Sequence, residues 1–139
     1  LNLNQIIYLS GNITEMNMPD TDITSLFDAW NVAIQSGKPK NVSALYENNA
    51  ILLPTVSNQV RHNQKEIEDY FVHFLAKGPK GVINESNIRI FGNIAINSGV
   101  YTITFSDGNL IQARFTFVYH WNGHRWLIEE HHSSAMPEG

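Results

Sequence analysis

The sequence contains no cysteine, and this absence excludes several kinds of site at once. Disulfide bonds, thiolate nucleophiles and thiolate metal centres all require that residue. No apolar run approaches the roughly 20 residues that cross a bilayer as a helix, so no membrane partner is expected. The 9 Lys and Arg against 13 Asp and Glu give a net charge of −4. This charge disfavours nucleic acid as a partner, because proteins that bind it present a basic surface.

Sequence motifs for cofactors are missing as well. The chain has no Gly-rich phosphate loop, no dinucleotide fingerprint and no nucleophile elbow, so no cofactor is predicted. Among the 6 histidines, His131 and His132 are neighbours on a predicted strand, where successive side chains point to opposite faces. His62 and His73 lack the spacing of metal ligands. We therefore predict no metal ion.

The composition is that of one globular domain. The chain has 139 residues, of which 42% are hydrophobic and 16% charged. We expect residues 1–20 to form an N-terminal arm and residues 21–139 to form a single domain. The sequence begins at Leu1 instead of methionine, which favours a processed protein, periplasmic or secreted, over a cytoplasmic one.

Helical patterns dominate the first half of the chain. Apolar residues recur at helical spacing over about 21–36, and shorter patterns predict a helix at 42–47 and a strand at 50–54. Asn63 with Glu66 forms the start of a capping box, which predicts a third helix. The apolar stripes of the two longer helices are Ile23, Leu26, Phe27, Trp30, Ala33 and Ile34, then Ile67, Tyr70, Phe71, Phe74 and Leu75.

From Val82 onward the hydrophobic period changes to two, which predicts strands. The predicted strands span 82–91, 94–105, 110–121 and 124–134. Turns are predicted at Gly92-Asn93, Asp107-Gly108 and Asn122-Gly123. Helices followed by an antiparallel meander define an α+β fold.

The Asn122-Gly123 dipeptide between β-forming residues is the strongest local signal in the chain, because it is typical of a two-residue hairpin loop. Such a loop would pair Arg114 with His131, and a tight turn at 107–108 would pair Tyr101 with Arg114. One sheet face would then carry the row Tyr101, Arg114 and His131. Glu129 and Ser133 would lie diagonally beside it. A β-bulge would break this register and the row with it.

Two interpretations of this row remain open. In a ligand pocket, Arg114 would bind a carboxylate and His131 or Glu129 would move a proton. At a dimer interface, Arg114 and Glu129 would compensate each other's charge in a polar network. The opposite face carries an aromatic stripe that ends in Glu130 and His132; its members are Phe115, Phe117, Tyr119, Trp121, Trp126 and Ile128. These two residues form either an acid/base pair in an apolar cavity or a plain hydrogen bond.

The order of these elements resembles the NTF2-like (SnoaL-like) cone. The segments LFDAWN at 26–31, ALYENNAILLPT at 44–55 and the block at 112–138 resemble a bacterial family. Members of that family are similar to the association domain of calcium/calmodulin-dependent protein kinase II. The resemblance implies a curved sheet around helices, a deep pocket inside it, and homodimers or larger rings formed through sheet faces. The chain has no kinase segment, so kinase activity is not implied.

The resemblance does not carry over a binding site. Arginines line the pocket of the kinase association domain, whereas Tyr101, Phe117 and Ser133 stand at the aligned positions here. Within this architecture we expect Trp30 and Tyr46, both on predicted helices, to form an apolar wall of the pocket. Arg61 and Lys65 are predicted to be solvated.

Three functions fit these observations. The first is a self-associating domain, most simply a homodimer, that binds a small, partly apolar, carboxylate-bearing ligand. Its predicted ligand-binding residues are Tyr101, Arg114, Glu129, His131, Ser133, Trp30 and Tyr46. The second is a cofactor-independent isomerase or hydro-lyase with His131 or Glu129 as base and Arg114 or Tyr101 stabilising an enolate. The third is a purely structural oligomerisation module.

Overall fold

The computed structural model describes residues 20–139, so that the predicted arm at 1–20 lies outside the described residues except for its last position. Within this range three helices accompany one five-stranded sheet. In chain order the elements are α1 (Asp20–Gln35), α2 (Pro39–Ser43), β1 (Tyr46–Leu53), α3 (Gln64–Leu75), β2 (Lys80–Phe91), β3 (Ile94–Thr104), β4 (Leu110–Trp121) and β5 (Trp126–Ala135).

The strand order in the sheet is β1-β5-β4-β3-β2. Strands β2 to β5 form the predicted antiparallel meander, while β1 adds to the edge of β5 in parallel. Helix α1 packs on β2 and β3, and α3 packs on β1, so one sheet face is covered. We call this covered side the inner face and the other side the outer face. The predicted α+β class is confirmed.

The two long helices form where the apolar stripes predicted them. Asn63 caps α3, since its side chain accepts a hydrogen bond from the backbone N of Glu66 at 2.9 Å. Gly37, with φ of 73°, ends the turn after α1 in a conformation that glycine adopts without steric cost. Except for Leu26, which is partly buried, every residue of the two stripes is buried in the core.

The second helix begins earlier than predicted. It spans Pro39–Ser43, and β1 already begins at Tyr46, so the prediction of a helix at 42–47 is wrong. Proline fits the first turn of a helix because the N–H that it lacks has no partner there in any helix. Tyr46 therefore lies on a strand, with its side chain in the core.

The Asn122-Gly123 loop is longer than predicted. Trp121 pairs with Trp126, which leaves four residues in the loop. A two-residue type I′ turn needs positive φ at both residues, but within 20–139 only glycines have positive φ. Gly123 takes φ of 99°, whereas Asn122 caps the loop: its Oδ1 accepts from the backbone N of His124 and Arg125 at 2.9 and 3.0 Å.

A β-bulge in β5 and a five-residue loop at 105–109 shift the register further. Pairing moves from Tyr119↔Ile128 to Val118↔Glu130, so Glu129 is the extra residue. The predicted pairing of Arg114 with Tyr101 and His131 is wrong. Arg114 lies opposite Val100 and Ser134. The partner of Arg114 is displaced by one residue on β3, from Tyr101 to Val100, and by three residues on β5, from His131 to Ser134. A displacement by an odd number of residues moves a side chain to the other face of a sheet.

Candidate functional site

The bulge at Glu129 turns two polar residues of β5 into the core. His131 lies opposite Phe117 and Ser133 opposite Phe115, both on the inner face of the sheet. His131 is 3% exposed and Ser133 is 5% exposed. Without the extra residue, these side chains would point to the outer face. The sheet irregularity therefore creates the polar part of the core.

Six side chains form a hydrogen-bonded chain through this core. Trp30 Nε1 donates to the hydroxyl oxygen of Tyr46 at 3.1 Å, and that oxygen lies 2.8 Å from His131 Nδ1. On the other side of the imidazole, Nε2 lies 3.2 Å from the hydroxyl oxygen of Tyr101. The Tyr101 hydroxyl donates to Ser133 Oγ at 2.7 Å. The hydrogen-bonded chain ends at the residue that follows β1 and Pro54.

That residue is Thr55, whose Oγ1 is hydrogen-bonded to Ser133 Oγ. The order of donors in the chain follows from its first member, because an indole N–H can only donate. Tyr46 accepts from Trp30, so its own hydrogen goes to His131 Nδ1. The Nε2 atom of His131 then carries the ring proton and donates to Tyr101, whose hydrogen goes to Ser133. The neutral Nε2–H tautomer is the one that satisfies every contact.

The imidazole is neutral at ordinary pH. Burial, with a smaller contribution from the neighbouring His132, lowers the pKa of His131 to about 3. Burial likewise raises the pKa of Tyr46 and of Tyr101 above the usual value for a phenol. The chain from Trp30 to Thr55 therefore carries no formal charge. A neutral ring with both nitrogens occupied is a weak general base.

Aromatic contacts hold the imidazole in place. Its ring stacks on Phe117 with centroids 4.0 Å apart, and Trp30 meets it edge-on at 5.6 Å. Trp30 also stacks parallel to Tyr101 at 6.1 Å between centroids. Close packing of rings on both sides leaves the imidazole little freedom to rotate, which keeps the hydrogen-bonded chain aligned.

A cavity lies beside the hydrogen-bonded side chains, and we call it the cone cavity. Its volume is about 30 Å³, and it opens to the surface at Val56, which is 44% exposed. Ala113 lies opposite Tyr101 in the sheet, and its short side chain leaves part of this space open. The lining residues are mostly apolar: Trp30, Leu52, Pro54, Thr55, Val56, Tyr70, Phe71, Phe74, Tyr101, Ile103, Ile111, Ala113, His131 and Ser133.

One hydroxyl hydrogen is left over where the chain meets the cavity. Ser133 accepts from Tyr101, and the Ser133–Thr55 contact uses only one of the two remaining hydroxyl hydrogens. The other hydrogen has no acceptor among residues 20–139. Both side chains line the cone cavity, so this donor is available to a molecule inside it.

Two predicted site residues lie elsewhere. Arg114 and Glu129 are exposed, Arg114 on the outer face and Glu129 at the bulge, and neither lines the cone cavity. The register slips described above are the reason. Glu130 and His132 are exposed as well, so the predicted acid/base pair inside an apolar cavity is wrong. The structure brings together the other five predicted residues, Trp30, Tyr46, Tyr101, His131 and Ser133, around His131.

Sequence reasoning missed several residues of this site. Thr55 follows the strand-ending Pro54 and carried no motif. Phe117 was assigned to the opposite face from His131 because the bulge was not foreseen, although the two rings stack. Arg61 was expected in solvent, yet it is only 8% exposed. Its position beside a capped helix start gave no signal of burial.

Across residues 20–139, no three His, Asp or Glu side chains are grouped so that they could hold a metal ion. None of the helices in this range is long and apolar enough to cross a membrane.

The fold is the cystatin-like fold that NTF2-like proteins have. An NTF2-like protein of this fold from Novosphingobium aromaticivorans matches with a TM-score of 0.74 at 10% identity, covering 99% of this chain and 92% of that chain. A proposed NTF2-like dehydratase from Streptomyces avermitilis matches with a TM-score of 0.73 at 16% identity, covering 86% and 99%. At these identities the similarity shows the fold alone.

The family follows from closer similarity. A structure from Xanthomonas campestris, assigned provisionally as a calcium/calmodulin dependent protein kinase II association domain, shares 46% identity with a TM-score of 0.85. The match covers 88% of this chain and 91% of that chain. The family model of the calcium/calmodulin dependent protein kinase II association domain matches residues 19–137. The chain belongs to this family. Among proteins with curated functions, none matches it significantly.

Proposed function

We propose that this chain is a self-associating domain that binds a small, largely apolar ligand with one hydrogen-bond acceptor in the cone cavity. The observation that supports this most directly is the hydroxyl hydrogen of the Ser133–Thr55 pair that lacks an acceptor in the described chain. A donor without an acceptor in an apolar cavity costs about 1–3 kcal/mol. A ligand oxygen that accepts from this donor recovers that free energy.

The rest of the cavity selects for an apolar, uncharged group. Leu52, Phe71, Phe74 and Ile103 provide apolar walls, and the hydrogen-bonded residues beside them are neutral. A charged group there would lose its hydration without gaining a counter-ion, which is strongly unfavourable. The expected carboxylate rested on Arg114, which lies on the outer face. We therefore do not place a carboxylate inside the cone cavity.

The proposal is tested with a small probe, 1-pentanol, titrated into the isotope-labelled protein and followed by NMR. We expect saturable shifts at Ala113 and Ser133 in the wild type. Thr55→Val combined with Ser133→Ala removes both hydroxyls that could present the spare hydrogen, and we expect the double variant to weaken binding about three- to tenfold, as for one neutral hydrogen bond. Thr104→Val, at an exposed position of β3, serves as the matched control.

Absence of saturable shifts for 1-pentanol would contradict the proposal. Equal weakening by the double variant Thr55→Val/Ser133→Ala and by Thr104→Val would also contradict it, because the exposed Thr104 does not line the cavity. A simple loss of fold is recognised separately, since the amide spectrum of a folded sheet would disappear.

Self-association is supported by membership of an association-domain family and by the composition of the outer face. Val82 is 56% exposed and Leu110 is 65% exposed, and both lie on that face. Large apolar side chains exposed on one face of a sheet are candidates for an interface. We expect Leu110→Glu to shift the protein towards monomer in sedimentation equilibrium. Val32→Glu on α1, where Val32 is 70% exposed, should leave the assembly intact. The opposite result would place the contact on the helices.

A cofactor-independent isomerase or hydro-lyase is the second candidate, and one observation favours it. The hydrogen-bonded chain runs in a single donor direction and presents a fixed hydroxyl donor to the cavity. Ser133 or Thr55 would then donate a hydrogen bond that stabilises an enolate oxygen of the substrate. Glu129 does not serve as a base in the cavity, because its side chain is exposed. Tyr46→Phe would interrupt the hydrogen-bonded chain without touching the cavity lining, and an enzyme would lose activity through it.

A further inference from the structure

A basic cleft adjoins the cone cavity on the side of α3. Its volume is about 170 Å³, and its polar lining consists of Ser57, Arg61, His73 and Lys77. Three residues, Val56, Tyr70 and Phe74, line both this cleft and the cone cavity. These side chains form a wall that the two spaces share. We call the space of about 170 Å³ the basic cleft.

Arg61 is held rigidly at the cleft. Its backbone N and O each form a hydrogen bond of 2.9 Å with Leu52 of β1. Its Nη1 donates to the carbonyl oxygen of Glu66 and to Oδ2 of Asp69, both at 2.9 Å. The guanidinium carbon lies 5.7 Å from the centre of the Tyr70 ring. These contacts fix the guanidinium between β1 and α3.

This fixed guanidinium is not fully paired. The Nε atom of Arg61 is buried and finds no acceptor among residues 20–139. A charged group that lacks a partner is costly to bury, and an anion in the cleft, which Arg61 lines, would compensate its charge. The protein keeps Arg61 at 8% exposure in spite of this cost.

The groups around the cleft leave an excess of positive charge. Lys77 lines it from the end of α3, near the ring of Phe105 at 5.8 Å, and His73 lines it one turn earlier. The acidic group in contact with Arg61 is Asp69, which is 66% exposed and therefore well screened by water. Two permanent cations thus face one carboxylate, which favours a monoanion over a dianion.

We propose that the basic cleft binds the carboxylate of a small amphipathic acid whose apolar tail enters the cone cavity. This inference rests on the proposed function, since the tail occupies the same cavity. It also explains how an acid can bind to a core without charge. The carboxylate stays in the cleft, paired with Arg61 and Lys77, and only the hydrocarbon passes Val56, Tyr70 and Phe74.

The test compares two probes with the same tail, pentanoate and 1-pentanol, by NMR titration at pH 7.5. Only the acid can use the basic cleft, so we expect it to bind about tenfold more tightly than the alcohol. Arg61→Gln and Lys77→Glu should each abolish this preference while the affinity for 1-pentanol stays unchanged. Lys77 is exposed, so its variant remains informative if Arg61→Gln does not fold. Lys80→Glu, at an exposed lysine outside the cleft, makes the same change in net charge.

The outcomes separate this inference from the proposed function. Equal affinities for acid and alcohol in the wild type would overturn the inference and leave binding in the cone cavity intact. Equal loss of pentanoate binding in Lys77→Glu and Lys80→Glu would overturn it too, because it would indicate a general charge effect. No binding of either probe would overturn the proposed function as well.

Discussion

The hydroxyl oxygen of Tyr46 lies 2.8 Å from Nδ1 of His131, although 85 residues separate them in the sequence. The parallel pairing of β1 with β5 places Tyr46 opposite Ile128 and Leu52 opposite His131, so that the side chains of Tyr46 and His131 meet on the inner face of neighbouring strands. This contact fixes the tautomer of His131 and with it the direction of the whole hydrogen-bonded chain. The chain then ends in a hydroxyl donor at the cone cavity.

The buried imidazole predicts a pH-dependent stability. The pKa of His131 is about 3 in the folded protein, against about 6.5 for an unperturbed histidine. Between these values the unfolded state binds a proton that the folded state does not, so stability is complete above pH 6.5 and falls as the pH decreases. From pH 7.5 to pH 5.0 we expect a loss of about 2 kcal/mol in the free energy of unfolding, measured with urea.

His131→Gln removes this titration while keeping a polar side chain of similar length. We expect most of the pH dependence above pH 5 to disappear in this variant. His124→Gln, at an exposed loop position, is the control and should keep the wild-type pH dependence. An unchanged slope in His131→Gln would show that His131 is not buried as a neutral ring.

Filling the cone cavity should separate binding from stability. Ala113→Val adds two methyl groups next to Tyr101, in a cavity of about 30 Å³. We expect the affinity for 1-pentanol to fall more than about tenfold. The free energy of unfolding should fall by no more than about 3 kcal/mol, the upper end of the usual cost of overpacking. Ala135→Val, at an exposed position of β5, should change neither quantity. Unaltered binding in Ala113→Val would place the ligand elsewhere.

Arg114 distinguishes the observed register from the predicted one. It is exposed on the outer face opposite Val100 and Ser134. Arg114→Ala should therefore leave the affinity for pentanoate within about twofold and the free energy of unfolding within about 0.5 kcal/mol. Calorimetric titration and urea unfolding check these values. A large loss of pentanoate affinity would support the pocket deduced from the sequence.

Gly99 is required for the close approach of β2 and β3. A Cβ at this position would lie 1.9 Å from the carbonyl oxygen of Glu85, beside the bulge in β2. Gly99→Ala therefore forces the strands apart, and we expect a loss of about 2–4 kcal/mol in stability. Ser98→Ala on the same strand is the control. A loss below about 0.5 kcal/mol for Gly99→Ala would show that the two strands separate easily.

The fold could be predicted from the sequence because its signals are local. The apolar stripe from Ile23 to Ile34 fixes α1, and the Asn63–Glu66 capping pattern fixes the start of α3. Alternating hydrophobicity fixes the four strands after residue 80 to within two residues at each end. The parallel pairing of β1 with β5 was not predicted, because long-range pairing leaves no local pattern.

The site could be predicted only in part, because it depends on register. The longer loop at 122–125 and the bulge at Glu129 together decide which β5 residues face inward. Neither carries a distinctive local pattern, since Asn122-Gly123 is compatible with loops of two or four residues. A displacement by three residues put Phe117 in place of Arg114 opposite His131, and Phe115 lies opposite Ser133. Trp30 and Tyr46 were expected in the pocket wall because large apolar side chains pack in the core. Ser133 was placed on the face of His131 because the two are two residues apart on one strand. Tyr101 shares the inner face with them although its predicted pairing with Arg114 is wrong.

The most direct test of the cone cavity as a binding site is a set of intermolecular nuclear Overhauser effects from bound 1-pentanol. We expect contacts from the methyl group of 1-pentanol to the Ala113 methyl and to the rings of Phe74 and Tyr101, which line the cavity. Contacts confined to outer-face side chains such as Leu110, or none at saturating concentration, would contradict it.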